Sequence, residues 1–182
     1  MKVMLRNVRL AFPALFQPKT VNGEGDPAFG ATFIMDPATN KAEIEAVNAA
    51  IDKVAADKWG AKGAEVAKTL RKAGKVCLRD GDEKAEYEGY EGNMFVAARS
   101  KSRPLVIDRD KTPLVEADGR PYGGCYVNAT IDVWAQDNQY GKRINASLSG
   151  VQFVRDGEAF GGSRPASPDD FEEVDESEDS LV

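Results

Sequence analysis

Three stretches of the chain bring aromatic rings and cations together at spacings suited to a nucleic-acid strand. Along a β-strand, side chains alternate between faces. Over residues 93–103, Met94, Val96 and Ala98 form an apolar face; the opposite face carries Asn93, Phe95, Ala97, Arg99, Lys101 and Arg103. Tyr90 lies a few residues before Phe95, close enough to help it stack. Over residues 125–135, Cys125, Val127, Ala129, Ile131 and Val133 read as core, leaving Tyr126, Asn128, Thr130, Asp132 and Trp134 outside. A third group, Tyr140, Lys142 and Arg143, sits at a loop and its exit. Nucleobases offer flat apolar faces and phosphates offer charge, so this combination suits stacking at about 1–3 kcal/mol per base plus salt-sensitive cation contacts. Each stretch alone has a plainer reading. A lysine-guarded edge strand would explain the first, and a second small core the second.

Other chemistry is thinly supported. The chain has no histidine, which excludes histidine bases, triads and metal ligands. Its two cysteines, Cys77 and Cys125, lie in apolar runs and suit a reducing compartment. Asp80, Asp82 and Glu83 are acidic neighbours, yet they lack the longer pattern of a calcium loop and read as a solvated turn. No nucleophile elbow, phosphate loop or dinucleotide fingerprint is present. The expectation is a protein without catalysis, metal or cofactor. Trp59, between Lys58 and Lys62, reads as a core residue ending a helix, and Tyr87 lies in an acidic stretch that repels phosphate.

The elements that must position these residues are mostly strands. Val3 and Leu5, then Val8, Leu10 and Phe12, predict a strand with a phase shift, which Pro13 ends or bends. Residues 17–28 have loop composition, and 29–36 read as a second strand. Asn40 and Glu43 have capping-box spacing. Ile44, Val47, Ile51, Val54 and Ala55 then form a helical stripe to about Lys58. Gly60 and Gly63 break it, and a second helix follows over 64–72. Strands are expected at 75–79, 93–101, 105–108, 125–136 and 142–154, the last two joined by a hairpin loop over 137–141. The fold class is mainly β with a helical insert at about 40–73. It suits a five-stranded β-barrel of the OB type with extra strands and helices, with a β-sandwich or another α+β sheet as alternatives.

Charge is divided unevenly. The 182 residues carry a net charge of −6, but Asp169, Asp170, Glu172, Glu173, Asp175, Glu176, Glu178 and Asp179 crowd the last fourteen positions without a base. The rest holds 24 bases against 22 acids. The division expected is a body over 1–156, a flexible linker over 157–168 and an acidic disordered tail over 169–182. Such a tail can compete with phosphates for a basic groove at an effective concentration on the order of millimolar. No apolar run reaches membrane-span length, and charge interrupts the N-terminus too early for a signal peptide.

The segments VRLAFPALFQP, MFVAARSKSRPLVID, YGGCYVNATIDVWAQDN and KRINASLSGVQFVRDGE, with the acidic tail, resemble phage-encoded single-stranded DNA-binding proteins, closest to those of tailed enterobacterial phages. The resemblance implies an OB-fold that coats single-stranded DNA during phage replication, recombination and repair, in the cytoplasm of the infected bacterial host. It implies tail contacts with replication proteins such as a polymerase or helicase, and Tyr90, Phe95, Arg99, Lys101, Arg103, Tyr126, Trp134, Tyr140, Lys142 and Arg143 as the groove. Oligomeric state varies among such proteins. Related tails often end in an aromatic residue, whereas here Phe171 is internal and Leu181-Val182 ends the chain. The rival readings are an acidic-tailed interaction module or DNA mimic, and a metal-dependent nuclease. The slightly basic body argues against the mimic. Only Asp132 lies clearly on the basic face for a nuclease.

Overall fold

Val3 and Leu5 point inward, and so do Val8 and Leu10, because a β-bulge between Leu5 and Val8 resets the alternation. Asn7 sits in that bulge with φ of +53°. These residues belong to β1 (Lys2–Val21), the longest strand of a computed structural model that describes residues 1–21, 23–162 and 171–174. Pro13 bends the strand without ending it, at a second register shift between Ala11 and Ala14. The expected loop over 17–28 is instead mostly the extended hairpin between β1 and β2 (Glu24–Met35). Lys19 pairs with Ala28, and Val21 with Glu24. The described side chains at its tip are exposed, so no apolar alternation marks these strands in the sequence.

The helical insert follows β2 as α1 (Lys41–Trp59) and α2 (Gly63–Lys72). Val47, Ala50, Ile51 and Ala55 are buried on α1, whereas Ile44 and Val54 are only half-buried. The expected capping box at Asn40 does not form, since its side chain caps no helical N–H. The bulge in β1 competes for that side chain. Asn40 Nδ2 donates to the carbonyls of Arg6 (3.1 Å) and Asn7 (3.3 Å), while its Oδ1 accepts from the Asp36 N–H (3.1 Å).

The remaining strands are β3 (Leu78–Asp80), β4 (Met94–Ser100), β5 (Leu105–Ile107), β6 (Tyr126–Asn138) and β7 (Gly141–Arg155). The sheet order is β3-β4-β2-β1-β6-β7-β5, and a parallel pairing of β4 with β7 closes it. That closure makes a five-stranded barrel of β1, β2, β4, β7 and β6, with β3 and β5 as additional strands. This is OB topology, not a sandwich. The seam is one register pair, Arg99 with Ser147, supported by a bridge between Val76 and Ile144. The inner faces of β6 and β7 follow the alternation: Val127, Ala129, Ile131, Val133, Ile144, Ala146 and Leu148 are all buried. Phe33 is fully buried among them, where replacing such a ring by alanine costs about 3–5 kcal/mol.

After β7, the chain lies along the body before the described segment ends. Arg9 donates to the carbonyls of Glu158 (2.7 Å) and Gly124 (3.2 Å), and its guanidinium sits 4.2 Å from the centre of the Phe160 ring. The Phe160 N–H donates to the Gly123 carbonyl (3.0 Å). No helix among the described residues is long and apolar enough to cross a membrane.

Candidate nucleic-acid interface

Where β4 meets β7, the outer surface of the barrel folds into a cleft of about 330 Å³. The register pair that closes the barrel puts Arg99 on one wall and Ser147 on the other. On β6, Trp134 stands opposite Asn145, and its indole Nε1 donates to Ser147 Oγ at 3.0 Å. This bond fixes the ring by its edge and leaves it 41% exposed. Arg143 faces Gln136 across the same strand pair. Gln136 accepts from Asn145 Nδ2 at 2.9 Å, so the polar lining is held from within. Ala97 is exposed on the lining, and Ile144 and Ala146, whose side chains are buried in the core, border it. Among the described residues, neither Arg99 nor Arg143 has an ion-pair partner, so both charges remain for a ligand. Arg79 also lines the cleft, but Glu83 holds it at 2.7 and 3.1 Å.

The structure thus brings Arg99, Trp134 and Arg143 into one cleft, and the β6–β7 hairpin carries Tyr140 and Lys142 beside it. Tyr140 is 80% exposed, with its N–H donating to Asn138 Oδ1 at 2.9 Å. Trp59 braces this hairpin by donating from Nε1 to Asp137 Oδ2 at 2.9 Å. Strand β4 ends at Ser100, so the expected cation row does not continue through Lys101 and Arg103 on one strand face. Lys101 lies 3.7 Å from Asp26 on the β1–β2 hairpin. Arg103 donates to the Phe16 carbonyl at 2.8 Å and covers the Phe29 ring. Tyr126 sits at the far end of β6 from Trp134, eight residues or about 26 Å along an extended strand. Arg155 covers its ring at 3.7 Å.

Two expected stacking residues are corrected. Tyr90 and Phe95 are buried, at 2% and 3% exposure, in a small second core with Ala11 and Ile34. Alternation does place Phe95 opposite the main core. The loop over residues 81–93 then folds back over it, setting the Tyr90 ring 5.2 Å from the Phe95 ring. At that exposure neither ring presents an open face at the cleft. Burial also holds the Tyr90 hydroxyl above the ordinary tyrosine pKa, opposed by its hydrogen bond to the Thr32 side chain. Gly81 anchors the loop: its N–H donates to the Asn93 carbonyl at 2.7 Å. A Cβ at Gly81 would stand 2.5 Å from that oxygen and would also run into the Tyr90 carbonyl.

Sequence reasoning missed several residues. Gln136, Asn145 and Arg79 join the cleft through cross-strand register, which no single-strand pattern displays. Phe12 was expected to face inward, yet the bulge after Ala11 turns it out to 61% exposure beside Tyr87. Among the described residues, no three acidic, cysteine or histidine side chains cluster as a metal site. Cys77 and Cys125 are buried free thiols, each pushed up to about 11 mainly by desolvation. Of the tail residues singled out, Phe171, Glu172 and Glu173 are described and exposed. Asp169, Asp170, Asp175, Glu176, Glu178 and Asp179 lie outside the described residues.

The chain is similar to proteins from several phages. It is 48% identical to protein p50 of Acyrthosiphon pisum secondary endosymbiont phage 1, over 98% of this chain and 97% of that one. It superposes on the single-stranded DNA-binding protein from bacteriophage Enc34 in complex with ssDNA with a TM-score of 0.75, at 30% identity. That match covers 88% of this chain and 89% of the other. A likeness to gp2.5, a single-stranded DNA-binding protein encoded by bacteriophage T7, has a TM-score of 0.54 at 10% identity, covers 96% and 97% of the two chains, and shows the shared fold. Residues 1–181 match the family described as Enterobacter phage Enc34, ssDNA-binding protein, and the chain belongs to that family.

Proposed function

We propose that this protein binds single-stranded DNA without sequence preference, with the β4–β7 cleft and the β6–β7 hairpin as its centre. The observation that carries this reading is Trp134, edge-bonded to Ser147 and sharing one cleft with the guanidiniums of Arg99 and Arg143, which have no ion-pair partner among the described residues. An aromatic ring with an accessible face between two cations matches a base and its neighbouring phosphates. The OB topology adds support, since such barrels bind oligonucleotides across this side and the adjoining loops. In this reading Trp134 and Tyr140 stack on bases, and Arg99, Arg143 and Lys142 hold phosphates. Lys101 and Arg103 extend the positive surface toward the β1–β2 hairpin, and Tyr126 contacts only a longer strand. The Enc34 relative was captured with ssDNA, which is consistent with this assignment.

The wider role follows from the same chemistry. A strand-coating protein of a phage serves replication, recombination and repair inside the infected bacterium. The acidic residues from Asp169 onward compete with phosphates for the groove and, once displaced, recruit replication proteins. The body over 1–156 is then followed by a linker, whose first residues from Glu158 to Phe160 lie against the body, and by the tail. Fluorescence tests the core of this reading. In a Trp59→Phe background, oligo-dT should quench Trp134 emission, and anisotropy should show affinity falling with salt. Absence of both quenching and binding at low salt would overturn it. Truncation at residue 168 should tighten binding if the tail competes; unchanged affinity would remove that role.

A further inference from the structure

A second aromatic site lies on the outer face of β1, β2 and β4. Phe12, Tyr87, Tyr90 and Phe160 line a pocket of about 500 Å³, a size usual for small planar ligands. The Phe12 and Tyr87 rings meet edge to face, 5.2 Å between centres, and stay 61% and 44% exposed. Phe12 has φ of +47°, a conformation that costs a non-glycine residue energy. Strain that holds an aromatic ring out of the core is characteristic of binding sites. Glu86 and Glu88 stand on the pocket wall, and among the described residues no lysine or arginine lines it. Such a site repels phosphate and accepts a flat apolar ring.

The pocket and the cleft share no lining residue, but one row of paired residues joins their borders. Ala11, Thr32 and Ala97 are register partners across β1, β2 and β4. Ala11 lines the pocket and Ala97 lines the cleft. Neighbouring strands lie about 4.8 Å apart, so this row spans about 10 Å, roughly three nucleotides of a stacked strand at about 3.4 Å each.

We propose that the Phe12–Tyr87 pocket is a base-stacking subsite, taking one nucleobase of a single strand whose phosphates lie over the cleft. The inference rests on the single-stranded DNA reading above. The test compares full-length wild type, Phe12→Ala, Tyr87→Ala and Trp134→Ala in titrations of a long dT oligonucleotide carrying scattered 2-aminopurines. Each pocket variant should weaken binding about 5- to 150-fold, the loss of one stack, by the same factor at low and high salt. Quenching of the 2-aminopurine should fall with it. Tyr87→Leu keeps apolar bulk and should weaken binding similarly while melting as wild type does, which separates stacking from folding. Wild-type affinity in the pocket variants, with Trp134→Ala still weak, would overturn the subsite and keep the cleft; the pocket would then be a protein-docking surface. A change in salt slope would also overturn it. No binding by wild type would overturn both readings.

Discussion

Neutralising Arg99 and Arg143 together tests the electrostatic half of the cleft. Both guanidiniums are exposed and lack an ion-pair partner among the described residues. Converting them to glutamine therefore strands no carboxylate, and each change should shift stability by less than about 0.5 kcal/mol. If each holds one phosphate, the double variant loses two counterion-release contacts. The slope of log affinity against log salt then becomes shallower by about 1.4, at roughly 0.7 per phosphate on a single strand. From about 50 to 200 mM salt, that difference narrows the gap between variant and wild type about sevenfold. Trp134→Ala should behave differently. It removes a stack worth about 1–3 kcal/mol and shifts the whole line down without tilting it. Anisotropy of labelled oligo-dT over a salt series measures both lines. Parallel lines for wild type and the double arginine variant would refute phosphate contacts at these positions. A tilt in Trp134→Ala would refute its assignment as a stacking residue.

Three further outcomes concern the scaffold. Asn40→Ala removes donors to the Arg6 and Asn7 carbonyls, so urea denaturation should show a loss of about 2–3 kcal/mol, far above a mere cap effect. Gly81→Ala drives a methyl group into the Tyr90 and Asn93 carbonyls, and should cost about 1–3 kcal/mol and loosen the loop that covers Phe95. The buried thiols make stability pH-dependent. Their folded pKa of about 11 lies above the ordinary thiol value of 9.0, so their contribution is whole below pH 9 and is lost as pH rises toward 11. Stability should fall by about 1.4 kcal/mol per pH unit for each thiol in that window. Cys77→Ala with Cys125→Ala should flatten the fall, and an unflattened curve would reject the thiols as its cause.

The sequence was most legible where one face of a strand is buried and the other is not. Val127 through Val133 and Ile144 through Leu148 alternate cleanly, and the barrel's closing strands follow from them. Trp134, Arg99 and Arg143 were visible as outward residues, because alternation alone decides facing. Which of them meet was not visible, since β4 and β7 are joined by a seam between residues 48 positions apart. Phe95 shows the limit of the pattern: it lies on the expected face, but a loop from elsewhere turns that face into a second core. Phe12 shows another limit. One extra residue at a bulge reverses the later side chains, and Pro13 signalled a bend there without showing which way Phe12 would turn. The β1–β2 hairpin was read as loop because exposed side chains erase the signal while the backbone still pairs.

Arg99 and Ser147 form the register pair at the seam, while Ser147 also fixes Trp134. The cleft wall and the lock of the barrel are therefore the same few atoms. Any opening fluctuation that parts β4 from β7 dismantles the cleft, and any strand seated in the cleft bridges the seam and disfavours opening. Occupancy at a hundred times the dissociation constant would deepen the closed state by about 2.7 kcal/mol. Amide exchange should slow most at the seam, ahead of strands that the ligand never touches. In mechanical terms, a strand seated in the cleft as proposed would act as a clasp on the barrel.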